Sequence, residues 1–284
     1  MRITIVSFNG AEASAINQFL DDLCIGTPVW DRIGKSAVQG SRSSPSVELI
    51  HEELYAQGNV VAGTELLRLY RDRAVKPRAV IFYGCAGALS PIDSNSVFVA
   101  KTAHYCSLGH VKYDGYDPDT DSLPPPGSTE KVRTKPKWIH KFAGEPDPLP
   151  PLSLGSLAAA VLEDSAIGIP DAVVAATDKV IEVARTATPP PLHPYPEEWT
   201  YAQSIAHIDH LHGSPHGIAT IVDMESYGIA KAIELFGLEE RVIVLRVTTD
   251  DLVTKNGPNA SDQATILMDA RFILADVIEQ LLLR

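Results

Sequence analysis

The chain has 284 residues, enough for one large domain or two small ones, and with 45% hydrophobic residues it can bury a sizeable core. Its 24 basic and 36 acidic residues give a formal charge of −12, which argues against a nucleic-acid backbone or an anionic membrane as partner. A small anionic ligand stays compatible with that charge, because it needs only a local site.

Three cysteines, Cys24, Cys85 and Cys106, are odd in number and far apart, with no CxxC, so no disulfide framework is expected and a reducing cytoplasm is the expected setting. No signal peptide is expected, since the chain enters an apolar strand at once, and no apolar run approaches the roughly 18 residues of a membrane span.

In chain order, Arg2–Phe8 predicts a strand, broken by Asn9-Gly10. Ile16, Leu20 and Leu23 then mark a helix beginning near Ala11, with Glu12 at the strand-to-helix turn. Residues 26–46 show little periodicity, and Val47–Ile50 reads as a strand. A turn at Gly58-Asn59 leads into a helix carrying Leu66, Leu67 and Tyr70. Ala79–Tyr83 reads as a buried strand followed by a small-residue loop, Gly84-Cys85-Ala86-Gly87-Ala88-Leu89, and Val97–Ala103 as the next strand. Residues 112–151 hold nine of the 21 prolines and predict a long loop or insertion. Leu154–Leu162 predicts a helix, Ala172–Ala176 a strand, and 186–217 a second excursion rich in Pro and His.

The most informative stretch is Ile218–Asp251. An apolar strand, Ile218–Val222, leads to Asp223-Met224-Glu225-Ser226 and then to a helix with Ile229, Ile233 and Phe236 on one face. Gly237 is the expected C-cap. A second apolar strand, Val242–Val247, ends in Thr248-Thr249-Asp250-Asp251. A long amphipathic helix closes the chain, with Ala264, Leu267, Arg271, Leu274, Ile278 and Leu281 on one face and Ser261 as candidate N-cap. The alternation predicts one α/β domain over 1–284: a central mixed, mostly parallel sheet flanked by helices, with two Pro-rich excursions. Ligands of open α/β sheets bind at the carboxyl ends of strands, which singles out Glu12, Glu225 and Asp250.

Three segments, in order, resemble the nucleoside phosphorylase and nucleosidase superfamily, and within it the methylthioadenosine/S-adenosylhomocysteine nucleosidases. They are MRITIVSFNGAEASAI, KPRAVIFYGCAGALSP with VFVAKTAHY, and VDMESYGIAKA with VLRVTTDD. The resemblance implies Glu12 as catalytic glutamate, Met224 and Glu225 as a ribose-binding pair, and Asp250 as the purine-contacting aspartate. It also implies ligand contacts from Cys85, Ala86 and Gly87, contacts to the base from Lys179 and Val180, and His104 and Tyr105 near a neighbouring subunit's site. Departures are Cys85 where relatives carry serine, Ala88 for a glycine, Thr249 for a serine, and a first loop without the arginine typical of phosphorylases. Arg42 or His51 would have to supply phosphate contacts instead.

Cleaving an N-ribosidic bond needs an acid for the departing purine, assigned to Asp250 with a pKa raised by burial, and a base to direct water onto the sugar, assigned to Glu12. Glu225 offers two oxygens to two ribose hydroxyls, and Met224 a soft contact under the sugar. The expected activity is therefore hydrolysis of a purine nucleoside or 5′-modified adenosine, without cofactor. A phosphate-dependent phosphorylase is the runner-up, and a nucleoside-binding protein without turnover the alternative of another class. The helix-start positions of Glu12 and Glu225 also have a plain explanation in the helix dipole. Homo-oligomerisation, as dimer, trimer or hexamer, is implied by the resemblance. The histidines between His193 and His216 and the aspartates at 114, 117, 119 and 121 lack metal-site spacing, so no metal is expected.

Overall fold

The computed structural model describes residues 1–26, 29–41, 44–54, 56–71, 74–88, 93, 95–105, 110–114, 135–139, 150–162, 168–176, 219–251 and 260–284; at 41, 44, 110–114, 135–139, 250, 251, 260 and 261 it describes the backbone alone. Its strands are β1 (Arg2–Ser7), β2 (Trp30–Ile33), β3 (Ser36–Ser41), β4 (Ser44–Glu53), β5 (Ala79–Ala88), β6 (Val97–Tyr105), β7 (His110–Asp114), β8 (Lys135–Ile139), β9 (Leu152–Ser153), β10 (Asp171–Ala176), β11 (Ala219–Asp223) and β12 (Val242–Asp251). The helices are α1 (Gly10–Gly26), α2 (Asn59–Arg71), α3 (Leu157–Leu162), α4 (Ser226–Phe236), α5 (Ala260–Ala270) and α6 (Ile273–Leu283).

The main sheet runs β11-β10-β6-β12-β5-β1-β4-β3-β2, and β11 also pairs with β5. That extra pairing closes β5, β12, β6, β10 and β11 into a ring, and the remaining strands extend from it as an open sheet. The sheet is mixed, as expected. A parallel majority is not found: five pairings are parallel and five antiparallel among the described residues.

Strict alternation along the central strands explains the layering. Ile3, Ile5, Ile81, Tyr83, Ile243 and Leu245 face one way, onto Ile16 and Leu20 of α1 and Leu267, Leu274 and Ile278 of α5 and α6. Val6, Val80, Phe82, Val242 and Val244 face the other way, onto Leu66 and Leu69 of α2 and Ile229 and Ile233 of α4. Strands buried on both faces carry near-continuous apolar runs, which is why they were legible in the sequence. The helices α2 and α4 touch so closely that a Cβ on Gly228 would lie 1.8 Å from the Asn59 carbonyl oxygen. The Gly228 N–H donates to Asn59 Oδ1 at 3.0 Å, clasping the first turns of the two helices together.

Several expectations are corrected. Residues 84–88 are not a loop: they continue β5 and pair with β12. Small residues there serve close packing within a sheet. Residues 26–46 contain the β2–β3 hairpin, whose mixed polar and apolar residues hid it. The C-terminal helix is two, interrupted at Arg271-Phe272, and Arg271 pairs with Asp22 of α1 at 2.8 Å. Ser261 lies inside α5, which begins at Ala260, so it is not the residue before the helix. Gly237 does cap α4 with φ +62°, but Phe236 is 53% exposed, so the buried stripe ends at Ile233. Within the first excursion, β7 and β8 form a separate two-stranded sheet. The second excursion, 186–217, lies outside the described residues.

Candidate functional site

The first turn of α1 sets the site. Asn9 Oδ1 accepts from the backbone N–H of Ala11 and Glu12, both at 3.0 Å, so it caps the helix as a short polar side chain should. That cap turns Glu12 back over the end of β1. Glu12 is 2% exposed, and its Oε2 accepts from the N–H of Phe8 at 2.7 Å and of Asn9 at 3.3 Å. Its Oε1 accepts from the N–H of Cys85 at 2.9 Å. Three backbone donors thus fix both oxygens of one buried carboxylate.

Directly opposite on β12 is Arg246, in register with Gly84 and fully buried. A Cβ on Gly84 would lie 2.8 Å from both Arg246 Nη1 and Glu12 Oε1. Only glycine lets guanidinium and carboxylate approach across that strand. Arg246 Nε donates to Asp223 Oδ2 at 2.7 Å, and Nη2 lies 3.7 Å from Glu225 Oε2 and 3.4 Å from Ser226 Oγ. Nη1 is buried with no hydrogen-bond partner among the described residues. Burial works against the charged form of Arg246, but the carboxylates of Asp223, Glu225 and Glu12 outweigh it and hold the guanidinium protonated.

Asp223, at the end of β11, organises the turn into α4. Its Oδ1 accepts from the N–H of Glu225 at 3.3 Å and of Ser226 at 3.1 Å, and Oδ2 accepts from the Ser226 hydroxyl. Glu225, 5% exposed, accepts through Oε1 from the N–H of Gly58 at 3.3 Å. Burial first, and the neighbouring Asp223 next, push the Glu225 carboxyl up to about 7.

A family model described as the phosphorylase superfamily matches residues 2–280. The chain belongs to the phosphorylase superfamily. Among solved structures it resembles a futalosine hydrolase mutant of Helicobacter pylori at 16% identity, covering 99% of both chains with a TM-score of 0.56. It also resembles the methylthioadenosine/S-adenosylhomocysteine nucleosidases of Helicobacter pylori (15% identity, 99% and 98% covered, TM-score 0.55) and Campylobacter jejuni (15%, 98% and 96%, TM-score 0.53). At such identities the likeness establishes the fold. No curated protein matches the sequence significantly.

Within this phosphorylase-superfamily fold the structure brings Glu12, Glu225 and Cys85 together, with Ala86 buried and Gly87 and Met224 half-buried beside them in the chain. Cys85 Sγ lies 3.7 Å from Asn9 Nδ2. Burial, then the charge of Glu12, raises the thiol well above its ordinary range, so it is neutral and not poised as a nucleophile. The backbone of Asp250 is opposite Gly87, after a bulge in which Thr249 is the extra residue. Such a bulge re-aims the end of a strand, which is a device for placing a side chain at a site. The Thr249 hydroxyl is buried without a partner among the described residues. The carboxyl of Asp250, and Lys179, Val180 and Arg42, lie outside what the structure describes. His104 and Tyr105 end β6; the Tyr105 ring meets Tyr227 of α4 at 5.1 Å, and burial lowers the His104 pKa.

Sequence reasoning missed Arg246, Asp223 and Ser226 as members of the cluster. One signal was there: a lone arginine inside the apolar run VIVLRV must be buried, and a buried guanidinium requires carboxylate partners. His51, a suggested phosphate contact, is not one. It lies behind the first turn, its Nε2 2.9 Å from Ser7 Oγ and its Nδ1 3.1 Å from Asn17 Oδ1, and burial lowers it to about 4, so it is neutral near pH 7. No helix among the described residues is long and apolar enough to cross a membrane.

Proposed function

We propose that the chain is an N-ribosyl hydrolase, acting on a purine nucleoside or a 5′-modified adenosine with water as acceptor. The observation that carries this reading is the charge of the buried cluster. Among the described residues, Glu12, Asp223 and Glu225 surround a single guanidinium, that of Arg246. A phosphate dianion entering beside these carboxylates would meet like charge in a poorly screened interior. Water meets no such penalty. The first loop, Phe8 to Glu12, has no cation, and neutral His51 offers none.

The roles combine the geometry of the described cluster with what the family resemblance implies for Asp250, Lys179 and Val180. Glu12, locked by three amides, takes the proton of a water aimed at the anomeric carbon. Arg246 Nη1, unpartnered and buried, supplies a donor that orients that water between itself and Glu12. Glu225 accepts from the ribose hydroxyls, and Met224 lies against the sugar. Asp250, at the bulged end of β12, protonates the departing purine. Cys85, Ala86 and Gly87 form the strand against which the nucleoside rests, and Lys179 and Val180 contact the base. The neutral Cys85 thiol replaces a serine hydroxyl with a larger, weaker donor. No cofactor or metal enters this scheme. The protein acts as a cytoplasmic homo-oligomer in this reading.

The test is release of free base from adenosine, inosine, guanosine, methylthioadenosine, S-adenosylhomocysteine and uridine, with and without phosphate. Release without phosphate from a purine substrate, lost in both Glu12→Gln and Asp250→Asn, is expected. Release only with phosphate would make the protein a phosphorylase. If no substrate turns over, yet Asp250→Asn still binds purine in a thermal-shift screen, the protein is a binder.

A further inference from the structure

We propose that the opposite, amino-end edge of the sheet carries a second binding site, for a small oligophosphate anion, built by Arg78, Arg241, Lys76 and Arg2. Arg2 opens β1, Arg78 immediately precedes β5, and Arg241 immediately precedes β12, and these three strands are neighbours in the order β1-β5-β12. The backbone ties them in a row: the N–H of Arg78 donates to the Arg2 carbonyl at 2.7 Å, and that of Val80 to the Arg241 carbonyl at 2.8 Å. Adjacent strands lie about 4.8 Å apart, so the row spans roughly 10 Å.

The four cations line one cavity of about 570 Å³. Among the described residues its single carboxylate is Glu48, so four positive and one negative side chain leave a local +3 on a chain of formal charge −12. Glu48 is already engaged by Arg2, through Nε at 2.8 Å and Nη2 at 2.7 Å, and Arg2 Nη1 donates to the Val75 carbonyl at 3.1 Å. Lys76, Arg78 and Arg241 have no carboxylate partner among the described residues. Glu240 lines the neighbouring cavity of about 430 Å³, not this one. Both Arg78 and Arg241 are close enough to Tyr70 for their charge to act on its hydroxyl, which is buried without a partner among the described residues.

Guanidiniums held side by side match the paired oxygens of phosphate groups, and several in a row favour a multiply charged anion over a single carboxylate. The cavity volume lies in the range of small-ligand sites. The acidic remainder of the chain disfavours a long polyanion such as a nucleic acid. A nucleoside diphosphate or triphosphate, or inorganic tripolyphosphate, carries the shared chemistry.

Calorimetric titration of the full chain with tripolyphosphate, at constant ionic strength, tests this. Citrate serves as a non-phosphate control, and ADP and ATP separate a nucleotide from an inorganic source. Saturable binding, tighter for tripolyphosphate than citrate, is expected, weakened roughly tenfold or more in Arg78→Gln/Arg241→Gln. Glu12→Gln should bind as the unmodified chain does. Because the substituted arginines lie at the edge away from Glu12, the double variant should keep its circular dichroism spectrum and its base-release rate. No saturable binding, equal binding of citrate, or binding retained in a folded double variant would each overturn the proposal. Loss in Glu12→Gln alone would place the anion at the other edge and overturn it as well.

Discussion

The two edges of the same central strands handle charge in opposite ways. At the carboxyl edge, Glu12, Asp223, Glu225 and Arg246 are all 5% exposed or less; Arg246 is bonded to Asp223, and Glu12 is held by three backbone amides. At the amino edge, Lys76 and Arg78 are exposed and Arg241 is half-buried. Parallel β1, β5 and β12 put all their strand ends of one kind at one edge, so a single chain direction separates a buried, mutually dependent cluster from a solvated row. The lesson is energetic. Removing one member of a buried cluster strands its partners, at about 3–5 kcal/mol, whereas an exposed charge contributes about 0–1 kcal/mol.

The largest break of that comparison is Arg246→Met. It leaves Asp223 and its neighbours as uncompensated buried carboxylates, and urea unfolding should show a loss of about 3–5 kcal/mol. An unchanged midpoint would mean the carboxylates are not held by the guanidinium. Gly84→Ala comes next. Its Cβ would intrude within 2.8 Å of Glu12 Oε1 and Arg246 Nη1, so one of them must shift. Base release should fall by roughly a hundredfold, as misplaced catalytic groups do, with unfolding losing about 1–3 kcal/mol. Full activity in Gly84→Ala would show that the close approach is dispensable.

Two pH-sensitive groups sharpen the comparison from inside the buried edge. Glu225, raised to about 7, takes up a proton on folding, so its contribution to stability is present below about 4.5 and lost as pH rises through 7. His51, lowered to about 4, releases one, so its contribution is present above about 6.5 and lost as pH falls through 4. The two slopes oppose between about pH 4.5 and 6.5. Unfolding free energy across that window should change less with pH in the unmodified chain than in either single variant. It should rise with pH in Glu225→Gln and fall with pH in His51→Gln. Identical slopes in all three would show that neither group is perturbed by folding. Substrate binding should also tighten as pH rises through 7, as Glu225 ionises and becomes a pure acceptor, and Glu225→Gln should lose that dependence in KM.

The smallest effect belongs to the amino edge. Arg78→Gln and Arg241→Gln should each change unfolding free energy by less than about 0.5 kcal/mol without ligand, in line with surface positions outside the core. A loss of several kcal/mol there would erase the contrast between the edges.

Much of the carboxyl edge was legible. Glu12 and Glu225 follow apolar strands at helix starts, and ligands gather at such ends, so the sequence alone marks both. Gly237 announced the end of α4, and its φ of +62° is the reason. Residues 84–88 were misread as a loop, because glycine usually marks a break; here it marks the place where Arg246 and Glu12 need the room of a missing side chain. Phe236 was misplaced because periodicity continues past the point where α4 leaves the core.

Local spacing and hydrophobicity set the alternation of strand and helix, the two-sided burial of β1, β5 and β12, and the strand-end positions of the acidic residues. That Arg246 stands between Glu12, Asp223 and Glu225, that β11 closes the ring against β5, and that three arginines line up at the far edge came from the folded arrangement alone. Those facts depend on which strands become neighbours, and pairing between residues far apart in the chain leaves no periodic mark within any one of them.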